Sequence, residues 1–247
     1  LSFLMKLPIY FFGDNHFSPN PHFSNHKKIQ KMKEFFNLIE KNGGSIFIMG
    51  DLFDYYFEYK KNNPNYFDDV FNLFEKIKDR GIEIYFIAGN HDYWIGKKFR
   101  SHITQAFLRD QILTVGEKKI FVTHGDGLLS WDKGYRLLKS IIRNKIFIFI
   151  YSLLPKSIAF HIAKKVSYLR RDSNRIDKKN LEKIHNELIN FARSKWIDNC
   201  DVVIMGHYHH SFYFEENNKE LIILDDCSDK KFNYAKYDGE SISIESL

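Results

Sequence analysis

Five short polar motifs recur along this chain, and most of them begin where a run of apolar residues ends. Asp51 follows Asp14 by 37 residues. Asn90 lies 39 residues further on, and His124 another 34 residues beyond that. A strand, helix and strand unit has this length, so repeated units would deliver successive motifs to one edge of a sheet. The motifs are Asp14-Asn15-His16, Gly50-Asp51-Leu52-Phe53-Asp54, Gly89-Asn90-His91-Asp92, Thr123-His124-Gly125-Asp126 and Gly206-His207-Tyr208-His209.

The side chains in these motifs are of the kinds that bind Mn, Fe or Zn. Any one motif alone would more often contain surface or hydrogen-bonded polar groups. All five in this order instead predict a two-metal hydrolase, because seven ligands with one shared carboxylate complete two four-ligand positions. The predicted ligands are the carboxylates of Asp14 and Asp51, the amide oxygen of Asn90, and the imidazoles of His16, His124, His207 and His209.

The pattern D-x-H, G-D-x-x-D, G-N-H-D/E, H-G and G-H-x-H, matched here over residues 14–209, resembles that of the calcineurin-like metallophosphoesterase superfamily. The resemblance implies Mn²⁺ as the ion, although a mixed oxygen and nitrogen ligand set does not exclude Zn or Fe. It also implies a division of the ligands between two ions bridged by Asp51. One ion would be held by Asp14, His16, Asp51 and His209, and the other by Asp51, Asn90, His124 and His207.

Hydrolysis of a phosphate ester or anhydride needs a hydroxide nucleophile and stabilisation of growing negative charge, and two metal ions supply both. The resemblance implies that His91 stabilises transition-state charge or protonates the leaving group, with Asp92 orienting its ring. Capping of the loop is the alternative role for Asp92. Asp54 and Asp126 are interpreted as acceptors of hydrogen bonds from ligand imidazoles or loop amides.

Periodicity predicts an α/β fold that fills residues 1–247 as a single domain. Apolar runs at 7–12, 45–49, 82–88, 119–123 and 202–205 are typical of buried strands. Helical spacing covers 25–41, 65–78 and 177–197, and alternation predicts strands at 211–215, 220–224, 233–237 and 241–244. We therefore expect the four-layer metallophosphoesterase sandwich, with two mixed β-sheets flanked by helices.

Residues 131–176 do not belong to the minimal fold, because the interval from His124 to His207 is much longer than the earlier intervals. The densest apolar run here, 146–154, has nine residues, against about 20 for a membrane-spanning helix. We interpret the segment as an inserted helical lid that covers the metal site and offers apolar and basic side chains to a lipid with an anionic head. The alternative is that these residues simply pack against the domain.

Residues 50–60 and 123–127, with Asp132 and Tyr135, resemble the UDP-2,3-diacylglucosamine pyrophosphatases of lipid A biosynthesis, including their lid. That family releases UMP and leaves 2,3-diacylglucosamine 1-phosphate (lipid X). His91 stands at a position that is His in some members and Arg in others, so a relative with another substrate stays open. The resemblance implies substrate contacts from Asn90, Asp132, Tyr135, Arg170, Arg171, Ser173 and Arg175.

The formal net charge of +6 and the pI of about 9.0 suit an anionic substrate, an acidic membrane surface or nucleic acid. No recognisable nucleic-acid module appears, so we expect no nucleic-acid partner, and no obligate protein partner is inferred. The lysines at 27, 28, 31 and 33 are interpreted as a solvated helix face. Two cysteines, Cys200 and Cys227, favour a reducing compartment. We expect a cytoplasmic protein bound peripherally to the cytoplasmic face of the inner membrane.

Three hypotheses follow from the sequence. The first is a lid-bearing pyrophosphatase acting on a lipid-linked UDP sugar. The second is a soluble metallophosphoesterase acting on another phosphodiester, a nucleotide or a phosphoprotein, with little apolar volume under the lid. The third is a non-catalytic scaffold, against which the retention of all seven ligands and His91 argues.

Overall fold

A computed structural model describes residues 5–20, 25–59, 65–171 and 178–247. The chain divides into two compact units. One consists of Leu1–Asp126 with Ser194–Leu247, and the other of Gly127–Arg193. The elements in chain order are β1 (Ile9–Phe12), α1 (His26–Asn42), β2 (Ser45–Ile48), α2 (Asp68–Asp79), β3 (Glu83–Ile87), α3 (Lys97–Ser101), β4 (Gln105–Phe107), β5 (Gln111–Val115), β6 (Lys118–Thr123), α4 (Lys133–Ile142), α5 (Lys145–Ser152), α6 (Lys156–Arg171), α7 (Lys178–Ile197), β7 (Val202–Met205), β8 (Phe212–Glu216), β9 (Lys219–Ile223), β10 (Asn233–Tyr237) and β11 (Ile242–Ser246).

The first unit contains two mixed sheets. The six-stranded sheet has the order β11-β10-β1-β2-β3-β4, with β1 to β4 parallel and β10 and β11 antiparallel to their neighbours. The five-stranded sheet has the order β5-β6-β7-β9-β8, with a parallel centre and one antiparallel strand at each edge. The carboxyl ends of β1, β2 and β3 therefore meet at one edge, and those of β6 and β7 meet at another.

Alternation along the strands places apolar side chains on both faces of the first sheet. In β1, Ile9 and Phe11 pack in a cluster shared with the second sheet, whereas Tyr10 and Phe12 pack among side chains of α1 and α2. This two-sided burial explains why the strands are apolar throughout rather than alternating.

Helices flank both sheets within this unit. The buried stripes of α1 and α2 supply Phe35 and Phe74 to the first sheet's outer cluster. At the end of α7, the Trp196 ring stacks on Phe214 of the second sheet with centroids 6.4 Å apart. Two mixed sheets flanked by helices confirm the predicted fold class.

The second unit is helical. Asp132 caps α4 by accepting a hydrogen bond from the backbone N–H of Tyr135, and Asn144 caps α5 through the amides of Ile146 and Phe147. None of the described helices is both long and apolar enough to cross a membrane. The lid predicted at 131–176 falls inside this unit, and its relation to the metal site stays a prediction. Large apolar side chains are exposed at Leu137, Ile141, Ile146, Phe149, Ile150, Leu153, Ile158 and Ile162.

Candidate metal centre

All five motifs follow the carboxyl ends of strands, as the spacing predicted. Asp14 comes after β1, Asp51 after β2, Asn90 after β3, His124 after β6 and His207 after β7. The first two motif loops run side by side. The N–H of Asp14 donates to the carbonyl of Gly50 at 3.0 Å, and the N–H of His16 donates to that of Asp51 at 3.0 Å. Two sheets thus present their polar loops to a common region of the first unit.

The backbone at most of the predicted ligands is left-handed. Eight non-glycine residues of the described chain have positive φ, and three of them are asparagines, which adopt this conformation readily. The other five are all predicted ligands, although aspartate and histidine visit the left-handed region less often. Such backbone strain concentrates where a site needs side chains aimed in fixed directions. These five are Asp14 (φ 52°), His16 (φ 48°), Asp51 (φ 49°), His207 (φ 72°) and His209 (φ 49°).

Two glycines in the motifs leave room for ligand carboxylates. A Cβ added to Gly89 would lie 2.1 Å from Asp51 Oδ1, and one added to Gly206 would lie 2.4 Å from Asp14 Oδ2. Both distances are far inside van der Waals contact, so a larger residue would displace the carboxylate. The glycines flanking Asn90 and His207 in the sequence are therefore required by the packing of the site.

One group of donor atoms comes from Asp14, His16 and His209, all within 4.8 Å of one another. Nε2 of His16 lies 3.2 Å from Nε2 of His209, which in turn lies 3.4 Å from Asp14 Oδ1. Asp14 is 1% exposed, and its Oδ1 makes no hydrogen bond within the described residues. Its Oδ2 accepts the backbone N–H of His207 at 2.9 Å. A buried carboxylate oxygen aimed at two imidazole nitrogens fits a bound cation.

A second group comes from Asp51, His124 and His207. Nε2 of His124 lies 3.4 Å from Asp51 Oδ2 and 3.1 Å from Asn90 Oδ1, while its Nδ1 contacts the carbonyl of Met49 at 2.8 Å. That carbonyl fixes the ring and leaves Nε2 to face the other donors. Asp51 also forms a third group with His16 and His91, so it lies between the two main groups.

The donor spacing fits divalent metal ions. Atoms bound to one ion at about 2.1 Å are about 3.0 to 3.4 Å apart in octahedral or tetrahedral geometry. The closest donor pairs in both groups are separated by 3.1 to 3.4 Å. The structure thus brings the seven predicted ligands into two adjoining groups, which the third group connects because Asp51 there lies close to His16.

Charge is unevenly distributed over the four imidazoles. Burial lowers the pKa of His16 well below 6.5, and burial with the charge on His124 lowers that of His207 to about 4. Burial also opposes protonation of His124, but the carboxylate of Asp51 outweighs it and raises the pKa to about 10. In the same way Asp14 raises the pKa of His209 to about 9 against the effect of burial. At pH 7 in the metal-free chain, the rings of His16 and His207 are therefore neutral, whereas those of His124 and His209 are protonated on both nitrogens and positively charged.

His91 stands at the edge of these groups. Its N–H donates to Asp51 Oδ1 at 2.8 Å, its Nδ1 lies 2.7 Å from the carbonyl oxygen of Asp54, and its Nε2 lies 3.9 Å from Asp51 Oδ2. The Asp54 carboxylate lies 3.5 Å from His16 Nδ1, and its expected role as a hydrogen-bond acceptor stays a prediction.

The hydrogen bonds described for Asp92 come from backbone N–H groups and not from the His91 ring, which differs from the orienting role expected of it. Its Oδ1 accepts the N–H groups of Gly89 at 2.9 Å and Asp51 at 3.2 Å, and its Oδ2 accepts that of Leu52 at 2.7 Å. The physical reason is the tight approach of two motif loops, whose inward N–H groups need an acceptor. The carbonyl of Asp54 orients His91 instead, and Asp92 performs the capping alternative.

The residues predicted to bind substrate are placed unevenly. Asn90 lies in the second donor group. Asp132 and Tyr135 belong to the helical unit, where Asp132 caps α4 and Tyr135 is 3% exposed. Arg171 ends α6, and nothing is described of its side chain or that of Arg170. Ser173 and Arg175 lie outside the described residues.

Sequence reasoning missed Lys28, which it assigned to a solvated helix face. Its Nζ donates to the carbonyl oxygens of Asn15 at 2.7 Å and His16 at 3.0 Å. It also missed the Asp54 carbonyl, because backbone acceptors leave no residue-type signal. Lys28 lies in the first turn of α1, where the helix dipole disfavours a cation, but Lys27 shares that turn, so the sequence offered no signal that distinguishes Lys28.

Comparisons with known proteins agree with this geometry. The family model for calcineurin-like phosphoesterases matches residues 7–211. A UDP-2,3-diacylglucosamine hydrolase of Porphyromonas gingivalis is 27% identical and covers 98% of this chain and 98% of its own. Proteins of the same name from Hamiltonella defensa and Photorhabdus laumondii are 30% and 28% identical, covering 81% and 69% of this chain and 77% and 70% of their own. The resemblance inferred from the motifs is confirmed. The chain belongs to the calcineurin-like phosphoesterase family and is a hydrolase of a kind that uses divalent metal ions.

Proposed function

We propose that this protein hydrolyses the pyrophosphate bond of UDP-2,3-diacylglucosamine, giving UMP and 2,3-diacylglucosamine 1-phosphate in lipid A biosynthesis. The observation that carries the hydrolytic part is the pair of donor groups joined at Asp51. The shared name of relatives that are 24 to 30% identical supports the choice of substrate.

In this proposal, Asp14, His16, Asp51 and His209 hold one divalent ion, and Asp51, Asn90, His124 and His207 hold the other, with Mn²⁺ as our choice. The ions would supply an activated water and binding of the phosphoryl oxygens. His91 donates its Nδ1–H to the Asp54 carbonyl, so its Nε2 is directed toward the donor groups, where it can stabilise charge or pass a proton to the leaving group. Asp92 keeps the two loops that carry Asp51 and His91 in register.

The helical unit supports the lipid part of the proposal. Apolar side chains of this unit, such as Leu137, Phe149 and Leu153, are exposed, and so are the basic residues Lys145 and Lys156. Acyl chains bind apolar surface, and anionic heads bind nearby cations. We propose that this unit is the lid, that Asp132, Tyr135, Arg171, Ser173 and Arg175 serve the polar part of the substrate, and that the protein works at the cytoplasmic face of the inner membrane.

The test is hydrolysis of UDP-2,3-diacylglucosamine by purified protein with Mn²⁺, a chelator-treated control, and bis-p-nitrophenyl phosphate in parallel. Release of UMP that the chelator abolishes would support the proposal. Turnover of the small diester without UMP release would support metal-dependent hydrolysis and would indicate that the substrate is another phosphodiester or a nucleotide. Absence of turnover on both would favour a binding role.

A further inference from the structure

The loop that carries Asp14 and His16 is strained and tightly bound on one side. Both residues have left-handed backbones, and Asn15 between them is 1% exposed. Their N–H groups are held by carbonyls of the neighbouring loop, at Gly50 and Asp51. Backbone bonds to the next strand loop thus hold the N–H groups of Asp14 and His16, while the carbonyls of Asn15 and His16 accept hydrogen bonds from α1.

The carbonyls of Asn15 and His16 converge on one ammonium group. Lys28 Nζ lies 2.7 Å from the first and 3.0 Å from the second. Hydrogen bonds from a charged donor are stronger than neutral ones and hold their acceptors in place. One side chain therefore fixes two successive peptide groups next to the ligand atoms of His16.

The start of α1 is tied to the same loop. Asn25, which precedes the helix, accepts the N–H of Ser18 at 2.9 Å and donates to the carbonyl of Ser18 at 2.8 Å. These bonds bring the first turn of α1, and Lys28 with it, alongside residues 15–18. That turn contains no acidic residue, so nothing within it offsets the unfavourable dipole at Lys28. Lys27 lies in the same turn, so the two contacts with loop carbonyls, rather than the position in the helix, single out Lys28.

We propose that Lys28 is a positioning residue for the metal position formed by Asp14, His16 and His209. Its ammonium holds the peptide groups of Asn15 and His16 in the orientation that directs the His16 ring toward His209. The inference rests on the two-metal centre proposed above. Loss of a group that orients a metal ligand without binding the metal itself typically lowers metal affinity by about 10- to 100-fold.

The experiment compares metal binding by four purified proteins: wild type, Lys28→Met, Lys28→Gln and Lys31→Met. Lys31 is the matched control, because it lies on the same helix and pairs with Glu34 at 3.1 Å. Each metal-free protein is titrated with Mn²⁺ by calorimetry, and electron paramagnetic resonance separates isolated Mn²⁺ from a coupled pair. Thermal melting of the metal-free proteins reports on the fold.

For Lys28→Met we expect one Mn²⁺ equivalent at wild-type affinity and the other weakened about tenfold or more, with an isolated-ion spectrum where wild type shows a coupled pair. Lys28→Gln keeps a neutral hydrogen-bond donor. Its affinity for the weakened equivalent should therefore lie between those of wild type and Lys28→Met. Lys31→Met should match wild type.

Two full-affinity equivalents in both Lys28 variants would overturn the inference alone. So would equal weakening of both equivalents together with a lower melting temperature, since that pattern is one of general structural damage. Fewer than two equivalents in wild type would instead overturn the two-metal proposal and this inference with it.

Discussion

Nδ1 of His91 lies 2.7 Å from the backbone carbonyl oxygen of Asp54. A carbonyl oxygen only accepts hydrogen bonds, so Nδ1 carries the proton and Nε2 is the atom directed toward Asp51. The backbone thus sets the tautomer of the ring. A change of the Asp54 side chain alone would leave this contact in place.

His91→Ala should leave both metal equivalents bound and lower kcat by about 100-fold or more, because it removes a charge-stabilising or proton-donating group without removing a ligand. Steady-state turnover with metal analysis on the same preparations checks this. A variant with full activity would rule out the role given to Nε2.

Asp51→Ala should abolish binding of both equivalents and activity together, because its carboxylate is a donor in the second group and also in the group with His16 and His91, which adjoins the first group at His16. Asp54→Ala is the comparison, since its carboxylate belongs to none of the three donor groups and lies 3.5 Å from His16 Nδ1. Metal content after dialysis is the measurement. One firmly bound ion in Asp51→Ala would contradict a bridging position.

Asp92→Asn should lower the free energy of unfolding by about 1 to 3 kcal/mol, since an amide NH₂ would face a backbone N–H that the carboxylate now accepts. Urea unfolding of the metal-free protein measures the change. Asp110→Asn, at an exposed position, serves as the control and should be neutral. Equal stability of the two variants would show that the three N–H contacts of Asp92 contribute little.

Metal binding at pH 7 should release about two protons per dinuclear centre, because ligand imidazoles must be neutral. Asp51 and Asp14 raise the pKa values of His124 and His209 to about 10 and about 9 against the effect of burial, so these rings hold protons in the metal-free chain. His16 and His207 have lowered pKa values and release none. Metal affinity should therefore rise with pH from 7 toward 9. Calorimetry in buffers of different ionisation enthalpy counts the protons, and a count near zero would contradict this charge distribution.

Replacing Phe149 and Ile150 by Ser should lower kcat/KM for the acylated substrate by about fivefold or more, from the lost apolar surface. These side chains are 57% and 56% exposed, so the fold should tolerate the change. Turnover of bis-p-nitrophenyl phosphate should be unaffected. Ile197→Ser, at an 82% exposed position, is the matched control. Equal loss on both substrates would indicate a structural role for this surface.

The sequence predicted the buried strands and amphipathic helices closely. The helix expected at 25–41 is α1, His26–Asn42, and the strand expected at 45–49 is β2, Ser45–Ile48. Strands β4 and β5 were missed because they are short and partly polar, which weakens the alternating signal. The pairing of β10 with β1 also could not be predicted from the sequence, since it joins residues more than 200 positions apart.

Within the site, residue type and spacing located the ligand set, because metal ligands are chemically distinctive. The groups that hold those ligands were harder to find. Asp54 acts through its backbone and Lys28 through a distant helix turn, and neither contact follows from a motif. The hydrogen bonds of Asp92 were not predicted for the same reason, since its partners are main-chain N–H groups.

The left-handed backbone at Asp14, His16, Asp51, His207 and His209 has a consequence for how these positions can be altered. Alanine removes the donor atom but keeps a Cβ that disfavours this conformation. Without a bound ion, the backbone of the loop can therefore adopt other φ and ψ angles. Asparagine removes the charge or the ring and still accepts the same backbone angles. A library built at these five positions should therefore be richest in folded members where asparagine or glycine is chosen, and poorest where valine or isoleucine is.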